Sequence, residues 1–183
     1  MALIHEMMEL DYSRWSFFMA FMSIAFSSLL WNLVARNEYK NKTLTKLLNN
    51  NKYQACNAFV CVGIVLGFIR NGLFYLAILD FESNDIIREE LRYLGAILAL
   101  GGLVLVTGSS WRLGFQGVYY GDYFGILKKK RIEAFPFNIL KNPMYEGTSM
   151  ISLGVALWKK SIVGIILAFW VKVTYEVAVR FEE

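Results

Sequence analysis

The sequence predicts an all-α integral membrane protein, with three transmembrane helices followed by a C-terminal helical hairpin or a fourth span. Three observations carry this. The 183 residues are 56% apolar, 16% aromatic and only 19% charged, against about 25% charged in an ordinary soluble domain. Mean hydropathy is +0.41. Three apolar runs approach the roughly 20 residues that a helix needs to cross a hydrocarbon core. A core this small cannot hide 14 Phe and 5 Trp, and a bilayer is the natural solvent for them. The length fits a single membrane-embedded domain over residues 1–183.

The first span, Trp15 to Leu33, is uncharged. Ahead of it lie Glu6, Glu9 and Asp11, the wrong charge for a signal peptide, so this run reads as a span in its own right. The second, Ala55 to Leu79, is interrupted only by Arg70, which lies near the end of the run and can snorkel to the interface. The third, Leu94 to Trp111, is again uncharged. The fourth region is divided. Thr148 to Trp158 is about half a span. Lys159 and Lys160 follow, and Ser161 to Phe181 is apolar apart from Lys172, Glu176 and Arg180. Those three recur at i, i+4 and i+8, on one helix face, where they either neutralise each other or face a polar cavity.

Charge sets the expected orientation. Arg36, Lys40, Lys42, Lys46 and Lys52 lie between the first two spans, and Arg112, Lys128, Lys129, Lys130, Arg131 and Lys141 follow the third. The intervening loop is acidic, with Asp80, Glu82, Asp85, Glu89 and Glu90. The basic loops should face the cytosol, with the N-terminus on the far side. A hairpin would return Glu182 and Glu183 to the cytosolic side, whereas a single last crossing would not. The short first arm favours the hairpin. Two lysines at its turn oppose the charge rule.

Cys56 and Cys61 have neither CxxC nor metal spacing and read as small core residues. His5 is the only histidine, which leaves no basis for a zinc site or a His-based triad. No metal and no nucleic-acid partner is expected, and the pattern admits a homo-oligomer.

Both prolines of the chain, Pro136 and Pro143, fall in FPFNILKNPMYEG, residues 135–147. Proline restricts the residue before it and suits the first turn of a helix. Asn142 is therefore a plausible cap, with Tyr145 in the first turn beyond it. Before the prolines, GVYYGDYFGILKKKR (117–131) combines glycines that let a ligand approach the backbone with basic residues that attract anionic headgroups. Leu100-Gly101-Gly102 inside the third span reads first as close helix packing. The closing Glu182-Glu183 pair reads as a solubilising end or as a seat for a cation or a sugar.

Taken together, GDYFGIL (121–127), FPFNIL (135–140), NPMY (142–145) and the final EE resemble the phospholipid methyltransferase family, the phosphatidylethanolamine N-methyltransferases. WNLVAR (31–36) with Glu38 and Lys40, and YQAC (53–56), extend the resemblance over nearly the whole chain. It implies S-adenosylmethionine as methyl donor and a phospholipid acceptor in the bilayer, on the cytosolic face of the endoplasmic reticulum. It places the donor against a Gly-x-Gly element, here Leu100-Gly101-Gly102, and against Glu182 and Glu183. The sequence departs from the family in several places. Leucine replaces the first glycine of that element. The family has Trp where this chain has Glu146, and is apolar at Lys172, Glu176 and Arg180. It continues with a short tail after the acid pair.

On this reading the chemistry is alignment of a neutral amine with the donor methyl. An ammonium of pKa about 10.4 must first lose a proton. Asp122 ranks first as acceptor, with Tyr123, Tyr145 and Glu146 as the other candidates. Lys128, Lys130, Arg131 and Asn142 are expected to hold the lipid headgroup, and Tyr119, Tyr120 and Phe124 to face its cation. Two other classes stay open. An isoprenylcysteine carboxyl methyltransferase usually has Arg-His-Pro before the tyrosine, where this chain has Lys141-Asn142-Pro143. A non-enzymatic membrane adaptor would bind no donor.

Overall fold

The computed structural model describes residues 2–81, 87–126 and 132–182, with side chains over 15–81, 87–126 and 132–180. Glu82 and Asp85, Lys128 to Arg131 and Glu183 lie outside the described residues, as do the side chains of His5, Glu6, Glu9, Asp11, Phe181 and Glu182.

The described residues form six helices: α1 (Ala2–Asn41), α2 (Thr43–Leu47), α3 (Lys52–Asp80), α4 (Glu89–Val118), α5 (Pro143–Trp158) and α6 (Ile162–Glu182). Four stretches are long and apolar enough to cross a membrane: Trp15–Asn41, Lys52–Asp80, Glu89–Val118 and Ile162–Arg180. The three spans read from sequence are present, each running beyond its apolar stretch. The last region combines both expectations, because α5 and α6 form a hairpin in which α6 alone has the length of a span.

Local chemistry sets the boundaries. Lys42 adopts a left-handed conformation (φ 53°) and ends α1. Glu38, almost fully buried, then caps α2 by accepting from Leu44 N–H at 2.7 Å, Thr45 N–H at 3.2 Å and the Thr45 hydroxyl. Asn51 caps α3 by accepting from Tyr53 and Gln54 N–H groups. Gly114 interrupts α4 with φ +66°, a conformation that costs glycine little. The apolar run ends just before it, at Trp111, and the chain beyond is redirected.

The hairpin is antiparallel. The Tyr145 and Tyr175 rings lie 4.7 Å apart, and Gly164 packs on Ala156 nearer the turn. Ser161 begins α6 by accepting from Gly164 N–H at 3.0 Å. At the turn, Lys160 pairs with Glu89 at 2.6 Å, and Lys159 stands 5.6 Å from the Tyr75 ring centre. The two lysines that oppose the charge rule are thus held by the start of α4 and by an aromatic face.

Lipid is as apolar as leucine, so membrane helices associate through close packing rather than through the hydrophobic effect. The α4–α5 contact is built that way. A Cβ on Gly95 would meet Gly154 O at 2.6 Å, one on Gly154 would meet Gly95 O at 2.5 Å, and Gly102 faces Gly147 in the same manner. On the other side of α5, α6 packs against α1 and α3. There Ala20, Ile24, Phe74, Ala77, Ile78, Leu167, Val171 and Tyr175 form one buried cluster. A second cluster joins α1 and α3 to the 119–126 turn through Ala35, Ala55, Cys56, Phe59, Val60 and Phe124. Cys56 belongs to this core, as read from sequence, whereas Cys61 is exposed on the outer face of α3.

Candidate functional site

Beyond the kink at Gly114 the chain makes a tight turn over residues 119–126. Gly121 N–H donates to Gln116 O at 2.7 Å, and a Cβ on Gly121 would meet that oxygen at 2.6 Å. Only glycine fits there. Tyr120 takes φ 58° and Gly125 φ 66°, so the turn doubles back onto the bundle. Lys52 anchors it by donating to Gly125 O at 3.0 Å. The prolines shape the chain that follows. The cis Phe135–Pro136 peptide packs on α4 at Gly108, and Pro143 starts α5. Asn142 occupies the cap position as expected, but its side chain makes no capping hydrogen bond. Its backbone oxygen accepts from Glu146 N–H instead.

These devices bring tyrosines from separate segments to the seam between the two buried clusters. Tyr119, Tyr120 and Tyr123 lie along the second cluster. Tyr145 and Tyr175 belong to the first. The Tyr120 and Tyr145 hydroxyls are 3.3 Å apart. Tyr120 also donates to Asn32 Oδ1 at 3.4 Å, and Asn32 Nδ2 donates to Ser28 O at 3.2 Å. With its amide committed to α1, Asn32 presents its oxygen to Tyr120. Tyr120 is then the donor to Asn32, and Tyr145 the donor to Tyr120. The Tyr123 ring stacks edge-on against Tyr120 at 5.4 Å and Tyr39 at 5.7 Å.

Two charged groups complete the surroundings. Arg70 reaches from α3 across to α6. It donates to the Tyr175 hydroxyl and to Asn71 Oδ1. Side chains on a helix lean toward its N-terminus, which sends Arg70 toward the seam. Burial pushes the Tyr119 phenol up, and the neighbouring Arg70 guanidinium pulls it part of the way back. On α6, Lys172 pairs with Glu146 and stands 3.6 Å from Glu176. Lys172 therefore meets carboxylates on both helices, Glu176 on its own face of α6 and Glu146 on α5. Glu146 and Lys172, two departures from the family pattern, compensate each other.

Of the residues singled out from sequence, the structure joins Tyr123 and Tyr145 through Tyr120, with Asp122 half-buried on the same turn. Phe124 is buried in the second cluster against Phe59. Gly102 lies against Gly147 of α5, and a Cβ on Gly101 would meet only the Met150 methyl at 3.3 Å. Leu100 points outward, 64% exposed. Lys128, Lys130 and Arg131 fall outside the described residues, and α6 reaches Glu182 at the end of the bundle that carries the 119–126 turn. Asn32, Arg70 and Tyr175 were not singled out as site residues. Asn32 carried a signal, being the only amide in an uncharged span.

Fold and site define a helical membrane protein whose apolar bundle encloses a tyrosine-lined polar seam. The family model described as phospholipid methyltransferase matches residues 91–183, from the start of α4 onward. Similarity to characterised proteins extends over α1 and α3 as well. The chain is 40% identical over 169 residues to phosphatidylethanolamine N-methyltransferase of Homo sapiens, covering 92% of this chain and 84% of that protein. It is 39% identical over 174 residues to phosphatidyl-N-methylethanolamine N-methyltransferase of Neurospora crassa, covering 94% and 81%. With phosphatidylethanolamine N-methyltransferase A of Dictyostelium discoideum the identity is 39% over 176 residues, covering 94% and 81%. No solved structure matches. The chain belongs to the phospholipid methyltransferase family.

Proposed function

We propose that this protein transfers methyl groups from S-adenosylmethionine to the amino nitrogen of phosphatidylethanolamine, or of its mono- and dimethyl forms, toward phosphatidylcholine. The observation that carries the reading is the seam itself. An otherwise apolar bundle places Asn32, Tyr120, Tyr145 and Tyr175 together where the family-matched segments converge. The names of the relatives supply the substrate class.

The donor, when bound, supplies an electrophilic sulfonium methyl. The protein's tasks are to align, to desolvate and to remove a proton. The seam fits a cationic donor and a cationic product on the side of the 119–126 turn, where the Tyr120 and Tyr123 rings supply aromatic surface to positive charge. Burial favours the neutral amine. The Tyr120 and Tyr145 hydroxyls, 3.3 Å apart, would orient the amine by hydrogen bonding rather than carry its proton, because their chain ends on the Asn32 amide oxygen, which is no base. Asp122, on the adjoining turn, is the carboxylate we assign to carry the proton away. Glu182 and Glu183 would hold the donor's ammonium or ribose. Of the three α4 residues implied by the resemblance, Gly101 has room for a donor contact, while Gly102 serves the approach of α5. Lys128, Lys130, Arg131 and Asn142 would hold the headgroup. We assign the basic end to the cytosol and the membrane to the endoplasmic reticulum.

The test is direct. Purified protein in nanodiscs receives methyl-labelled S-adenosylmethionine and, separately, phosphatidylethanolamine and its mono- and dimethyl forms. Label should enter at least one of these lipids, and the preferred acceptor names the step. No label in any of the three, with donor saturating, would sink the reading.

A further inference from the structure

Arg70 is the only charged residue in the apolar run of α3. It lies about 27 Å along that helix from Lys52, at 1.5 Å per residue. A cation at such depth is costly, and usually marks function. The described ion pairs join Glu89 to Arg92 and Lys160, and Lys172 to Glu146 and Glu176. None reaches Arg70. Its hydrogen bonds run to Tyr175 Oη and Asn71 Oδ1, both neutral. A guanidinium carries more N–H donors than these bonds use.

The second observation is Tyr175. Its side chain is only 8% exposed. Its hydroxyl oxygen accepts from Arg70, so its own hydrogen is left to donate, and none of the described residues receives it. Arg70 and Tyr175 thus present several donors and a full positive charge at one point, with no anion beside them among the described residues. The point adjoins the paired tyrosines, because the Tyr175 ring lies on Tyr145.

We propose that Arg70 and Tyr175 form an oxyanion seat at the inner end of the seam. The seat receives a monoanionic oxygen group carried by a substrate, either the phosphodiester of the lipid or the carboxylate of the methyl donor. Both offer paired oxygens to a guanidinium fork. Anchoring that group sets the depth at which the reacting nitrogen and methyl meet. The proposal rests on the methyl-transfer reading, so its test uses binding, which that reading's failure to turn over would leave intact.

Two affinities are measured on the full chain in nanodiscs. S-adenosylhomocysteine binding is followed by calorimetry, and phosphatidylethanolamine binding by quenching of tryptophan fluorescence with a spin-labelled analogue. Arg70→Gln should weaken one of the two by about 10- to 100-fold, the scale of a lost charge-assisted pair, and leave the other nearly unchanged. The affinity that moves names the oxyanion. If it is the carboxylate, decarboxylated S-adenosylhomocysteine should bind wild type weakly and lose nothing further in Arg70→Gln. Unchanged affinity for both ligands in a folded Arg70→Gln protein overturns the seat. So does an equal loss for both together with a lowered melting temperature, which marks a brace between α3 and α6. Should Arg70→Gln not fold, Tyr175→Phe keeps the ring over Tyr145 and removes only the hydroxyl. It should split the two affinities in the same way, and no change in either overturns the proposal.

Discussion

At the scale of single residues, the direction of the hydroxyl chain follows from one amide. Asn32 spends its Nδ2 on Ser28 O and so turns its oxygen to Tyr120, which leaves Tyr145 as the donor to Tyr120. If Asp122 takes the proton, Asp122→Asn should lower the methyl-transfer rate by about 100-fold or more, the usual scale of general-base loss. S-adenosylhomocysteine affinity should stay nearly constant, and an unchanged turnover number would remove Asp122 from the mechanism. Tyr145→Phe should also lower turnover while leaving the ring on Tyr175, so its melting temperature should barely move. Lipid release of label and thermal melts read these outcomes. The shaped segment that carries Tyr123, Tyr145 and Asp122 was legible in sequence, because its glycines and prolines demand a defined backbone. Tyr175 and Arg70 were not. Their partnership spans 105 residues of chain, and no local pattern shows which helix an arginine will reach.

At the scale of helices, the apolar runs were enough to locate α1, α3 and α4, because a span must be continuous to exclude unpaired backbone groups from lipid. Their partners were less legible. Leu100-Gly101-Gly102 suits a ligand and a neighbouring helix equally well on paper. In the fold Gly102 lies against the Gly147 carbonyl, while Gly101 meets only a flexible methionine end. Gly102→Ala should therefore destabilise by roughly 1–3 kcal/mol, the cost of overpacking a tight contact, and Gly101→Ala by much less. Equal melting temperatures for the two variants would contradict the α4–α5 crossing described here. The hairpin holds a second test. Glu146 and Lys172 belong to different helices and neutralise each other. Lys172→Leu alone removes the partner of a part-exposed carboxylate and should cost up to about 1 kcal/mol. Adding Glu146→Gln should restore most of that loss, because the coupling, and not either side chain, supplies the stability. Losses that simply add would show that the pair contributes nothing.

At the scale of the whole molecule, charge and packing make the same statement about which ends lie together. The 119–126 turn, the start of α5 and the end of α6 share one end of the bundle, tied by Tyr120–Tyr145 and Tyr145–Tyr175. The α5–α6 turn lies at the other end, where Lys160 meets Glu89. Charge alone left the last region ambiguous, because Lys159 and Lys160 argue for the wrong side. The pairing of Lys160 with Glu89 and the face of Tyr75 against Lys159 lower the cost of leaving both lysines there. The consequence is that α5 and α6 together return the chain to the side on which α4 ends. The N-terminus and the C-terminus should lie on opposite sides, with the C-terminus on the side of the α1–α3 connection. In sealed microsomes, with Cys56 and Cys61 replaced, Asn49→Cys should react with an impermeant maleimide, and a C-terminal tag should be cut by added protease. An N-terminal tag should survive until detergent is added. If the C-terminal tag were protected instead, the hairpin would not form in the membrane. Glu182, at the end of α6, could then not share a site with Tyr145.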